Sequence, residues 1–230
     1  MNAEPNPEFE KPNQNQKELK KVSLICILLL LLGSFFWLTR PVILKSYKNE
    51  NKASAISNSK QVCLALFEFE NDYGSYPNAE TAKIVTEAFP NHGYDLSGNS
   101  SNAAFRQLIA AGIVQTEDTF YFPVEGSKKP DGNISPGHAL EKGECNFAYI
   151  AVGSTAGNPS RPLLIGNVIP GTTTFDPKPY NGIAIVLKVD QSASAYKIAK
   201  DGHVYDKGID ILSPKHPVWK GKTPDIRYPE

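Results

Sequence analysis

The sequence carries no excess of either charge: Lys and Arg total 24, and Asp and Glu total 24. Outside residues 1 to 40 the balance is 19 basic against 20 acidic. Nucleic-acid binding rests on a basic patch or stripe, so this neutrality leaves no such partner to expect. Cysteine is scarce as well. The three present are Cys26, Cys63 and Cys145, with no CxxC pair, which excludes zinc-ribbon and thioredoxin-type motifs. Cys26 lies in an apolar run, leaving Cys63 and Cys145 as two small buried hydrophobes or as a disulfide in an oxidising compartment. No serine sits in a Gly-x-Ser-x-Gly elbow, and the segments GSTAGN and GNSSNAA lack the strand, helix and lysine of a phosphate loop. His92, His138, His203 and His216 have no ligand spacing, and Glu68 and Glu70 are two apart on a predicted helix and so face apart. Nothing here argues for an enzyme or a resident cofactor.

There is one long hydrophobic run. Residues 22 to 39, VSLICILLLLLGSFFWLT, hold no charge, which suits a membrane-spanning helix from Val22 through Leu28, Leu32 and Trp37 to Thr39. Lys20 and Lys21 close one side and Arg40 the other, with Trp37 at an interfacial position. A cleavable signal peptide is the competing reading, but no small-x-small site precedes Arg40-Pro41. Residues 1 to 21, rich in Asn, Pro, Glu and Gln, read as a disordered tail. The span has four basic residues within about 20 positions on each side, so the positive-inside rule gives no orientation.

From Lys45 to Tyr73 proline and glycine are both absent, which predicts a helix continuing from the span through residues 40 to 74. With the span it would form a rod of about 78 Å at 1.5 Å per residue. Ile56, Cys63, Leu66, Phe67 and Glu70 form its expected core face, with Leu66 and Phe67 buried on the sheet. Gly74 and Pro77 stop it. Asn78 is the expected cap of a helix over Ala79 to Phe89, and Ser101 or Asn102 that of the helix AAFRQLIAAG. Tyr73, Tyr76 and Phe89 around NDYGSYP are either a small recognition surface or a staple. Beyond Thr119 the segments TFYFPV, CNFAYIAV, PLLIGNVI, IAIVLKV and SAYKIA read as short antiparallel strands, with VDQSAS and Asp201-Gly202 as turns. Helices first and strands afterwards predict an α+β fold for the loop-rich region 75 to 230.

This order, an N-terminal apolar helix running into an amphipathic one and then an antiparallel sheet, resembles type IV pilins and type II secretion pseudopilins. Pro41 just past the apolar run is similar to the helix-kinking proline of pilins. The stretch SNSKQVCLALFEFENDYGSYPNAETA, together with RQLIAAG, FAYI, IPGTTTFDPKPYNGIAIVLKVD and DGHVYDKGIDIL, resembles pilin-like proteins of Verrucomicrobia and related bacteria. One departure stands out. With Pro41 aligned to the pilin proline, Lys20 falls at the mature first residue and Leu24 at the filament-registering glutamate, so the prepilin cleavage motif is missing.

The resemblance implies a bacterial inner-membrane, single-pass protein with its C-terminal domain in the periplasm. Its implied role is that of a structural or interaction subunit whose partners are the bilayer and like subunits or secretion-system components. A membrane-tethered periplasmic ligand-binding module is the alternative, and an anchored hydrolase comes third. Asp201, Asp206 and Asp210, on turns of DGHVYDKGID, are the candidate calcium ligands: oxygen donors on turns suit calcium, and some secretion pseudopilins bind it near their C-terminal loop. Solvated turn aspartates are the plainer reading of the same residues.

Overall fold

The computed structural model describes residues 14–152 and 158–230. The chain divides into two compact units, Met1–Tyr47 and Lys48–Glu230. Helix α1 (Gln14–Tyr73) contains Pro41. Of the tail expected to be disordered, residues 1–13 lie outside the described residues, and from Gln14 the chain is helical. QNQKELKK contains neither proline nor glycine, so nothing in it stops the apolar helix from extending toward the N-terminus.

Within the larger unit, α1 buries Ala55, Ser59, Val62, Cys63, Leu66 and Phe69, a stripe at three- and four-residue spacing. The expected face was rotated from this one. Leu66 is buried as predicted, but Ile56, Phe67 and Glu70 lie at the edge, and the aromatic at the centre is Phe69. Phe67 instead stacks on Tyr76 with ring centroids 6.1 Å apart, while Phe69 stacks on Tyr73 at 4.5 Å. Tyr76 is wholly buried and Phe89 is largely exposed, so the NDYGSYP turn staples α1 through Tyr73 and Tyr76 alone. Gly74, at φ +77°, ends the helix in the left-handed conformation and donates its N–H to the Glu70 carbonyl.

Asn78 caps α2 (Ala79–Ala88): its side chain accepts from the N–H groups of Glu80 and Thr81, and the Thr81 hydroxyl accepts the N–H of Asn78. The cap of α3 (Ser101–Ala110) is Ser100, whose Oγ accepts the Ala103 N–H. Ser101 and Asn102, the two expected caps, are already helical. Asn102 uses its amide on the Leu140 carbonyl and the Glu230 N–H.

The sheet is antiparallel and five-stranded, in the order β4-β3-β2-β1-β7. Its members are β1 (Phe147–Ile150), β2 (Pro162–Gly166), β3 (Ile183–Lys188), β4 (Ala193–Lys197) and β7 (Ile226–Arg227); β5 (Tyr205–Asp206) and β6 (Ile209–Asp210) form a separate hairpin. The protein is therefore α+β, with a long apolar N-terminal helix. Alternation along the strands sends Phe147, Tyr149, Ile185 and Leu187 into the core with α1 and α3. The intervening Ala148, Ile150, Ala184 and Val186 pack on the opposite face against Ile198, Val204, Ile211, Leu212 and Trp219. Antiparallel sheets commonly leave one face to water. Here the irregular segment after β4 covers it, pinned by a hydrogen bond from Trp219 Nε1 to the Ile211 carbonyl at 2.7 Å.

TFYFPV is not a strand. Residues Asp118–Phe120 form a 3₁₀ turn, and the chain after it runs extended without a ladder partner. Phe120 and Phe122 are nonetheless fully buried. Two asparagines supply the missing partners: Asn58 Nδ2 donates to the carbonyls of Asp118 and Tyr121 at 2.9 and 2.7 Å, and Asn146 donates through its backbone N–H to the Phe120 carbonyl and through its side chain to that of Phe122.

Candidate functional site

The first candidate is the apolar part of α1. Among the described residues this is the one helix long and apolar enough to cross a membrane, and none of that stretch is buried in the protein. Fifteen large hydrophobic side chains from Val22 to Leu44 face outward, Phe36 and Trp37 at 78% and 79% exposure. At roughly 1.5–3 kcal/mol per side chain, leaving them in water costs tens of kcal/mol, so this surface needs an apolar environment. Two of its hydroxyls are bonded within the helix: Ser34 Oγ donates to the Leu31 carbonyl and Thr39 Oγ1 to that of Phe35, each at 2.9 Å.

The C-terminal aspartates do not gather. Lys207 and Gly208, both at positive φ, make the two-residue turn between β5 and β6. Tyr205 then pairs with Asp210, and Asp206 with Ile209, which puts Asp206 and Asp210 on opposite faces of the hairpin. Each carboxylate has its own neighbour. Asp201 accepts from the Tyr205 hydroxyl at 2.6 Å and from the His203 N–H, which hold its carboxyl below the ordinary range. Asp210 Oδ2 lies 2.9 Å from His203 Nδ1, and Asp206 Oδ2 lies 3.9 Å from His216 Nε2. Of the three expected calcium ligands, Asp201 and Asp210 thus both lie beside His203, while hairpin alternation turns Asp206 to the other face, towards His216.

Cys63 and Cys145 are not bridged; both thiols are free and buried. Cys63 faces the core from α1. Cys145 precedes β1, with its Sγ 3.6 Å from Ser101 Oγ. Burial pushes each thiol up to about 12, so neither is a nucleophile at neutral pH.

One acidic group has no counterpart among the sequence expectations. Carboxylate oxygens of Glu117, Asp131 and Glu144 converge within 4.8 Å, and Glu117 and Glu144 are fully buried. Their partners are protein groups. Glu117 accepts the N–H of Leu140 at 2.6 Å and that of Gly132 at 3.2 Å; Glu144 accepts the Glu141 N–H at 2.8 Å. Lys128 Nζ supplies the cation, 2.8 Å from Glu144 and 2.6 Å from Glu141. Burial pushes the Glu117 carboxyl up, the two amide bonds pull it back, and the neighbouring carboxylates push it further up. The arrangement fastens the loop from 116 to 146 on itself. No spacing in the sequence announces it, because the contacts join residues 23 and 27 positions from Glu117.

The chain matches no protein-family model, no curated protein and no solved structure. Its reading therefore rests on its own residues.

Proposed function

We propose that this chain is a single-pass protein of a bacterial inner membrane, with the unit Lys48–Glu230 on the periplasmic side as a non-catalytic, pilin-like or pseudopilin-like subunit. The observation that carries the reading is the exposed, largely apolar stretch Val22–Leu44 in the same helix whose last turns form the core stripe Val62 to Phe69. A helix used in this way both anchors and builds the domain, which fits a structural or interaction role. Partners in this reading are the bilayer, like subunits and components of a secretion or pilus-type system. The missing prepilin motif makes the protein one that keeps its N-terminal segment.

Orientation is tested by labelling cells with permeabilised outer membranes, using a thiol reagent that does not cross the inner membrane. Cys63 and Cys145 are buried and protonated, so Cys26→Ser gives the required background. Lys222→Cys, on an exposed residue, should label, and Gln14→Cys should not. The reverse pattern would place the domain in the cytoplasm and end the pilin-like reading. Mass spectrometry of membrane-extracted protein checks retention, and a mature N-terminus between residues 20 and 45 would contradict it.

A further inference from the structure

We draw no further inference here: the strongest candidate, the carboxylate cluster of Glu117, Asp131 and Glu144 in the loop from 116 to 146, is met by backbone N–H groups and by the Lys128 ammonium, and no second observation at the cluster points to a bound cation.

Discussion

The two halves of α1 are built from similar residues and put to opposite use. From Val22 to Leu44 nearly every side chain is apolar and none of the large ones among the described residues is buried; from Ala55 to Phe69 apolar residues come every third or fourth position and most are buried to the last few per cent. Hydrophobicity alone does not tell a helix where to go. Periodicity does: an all-round apolar surface has no single face to bury and needs an apolar solvent, whereas a stripe is satisfied by one sheet.

The comparison breaks most visibly at Phe69. Phe69→Ala should cost about 3–5 kcal/mol in urea unfolding of the micelle-held protein, and Phe67→Ala, at the stripe's edge, on the order of 1–2. Leu30→Ala should leave the same transition unmoved; a matching loss there would show that the apolar half belongs to the fold. Leu30→Arg attacks the other half, with a penalty on membrane insertion of about 2.5–3.5 kcal/mol. Extraction of that variant by alkaline carbonate should rise while the domain's unfolding midpoint stays put.

A smaller effect tests the ends of the elements. Asn78→Ala removes the acceptor of two amide protons at α2 and should cost about 1 kcal/mol. Glu117 offers a pH test. Its native carboxyl titrates above the ordinary 4.5, so ionisation is harder in the folded protein than in the unfolded chain. The resulting penalty is absent below the unfolded pKa and grows as pH rises through the native one. The stability of the wild type minus that of Glu117→Gln should therefore fall across that window, and a difference that rises with pH would show the amide bonds winning over burial. Least of all, a reductant should not shift the unfolding midpoint, since Cys63 and Cys145 are unbridged. A shift would show that a disulfide contributes to the fold.

What was legible in the sequence follows the range of the interactions. The stop at Gly74, the Asn78 cap and the turn between Lys188 and Ala193 are local, written within five or six residues, and they stand where the residues put them. The face of α1 was missed by part of a turn, because Phe67 and Phe69 are equally apolar and only the sheet decides between them. TFYFPV has a strand's pattern, but its partners are the side chain of Asn58 and the backbone and side chain of Asn146, which no strand rule anticipates. β7 is two residues long and owes its existence to the open edge of β1. The Glu117 group arises from distant loop residues meeting, so it leaves no motif.

The order of these elements sets a timetable for the newborn chain. The stripe on α1 is made early, yet the strands that cover it begin about 80 residues later, several seconds at roughly 5–20 residues per second. The outer edge of β1 waits longer still, until Ile226 and Arg227 arrive to pair with Ile150 and Tyr149. During that interval Leu66, Phe69 and an unpaired strand edge are open to any passing chain. A holdase that shelters this stripe while the polypeptide is being delivered would have its work set by the sequence order alone.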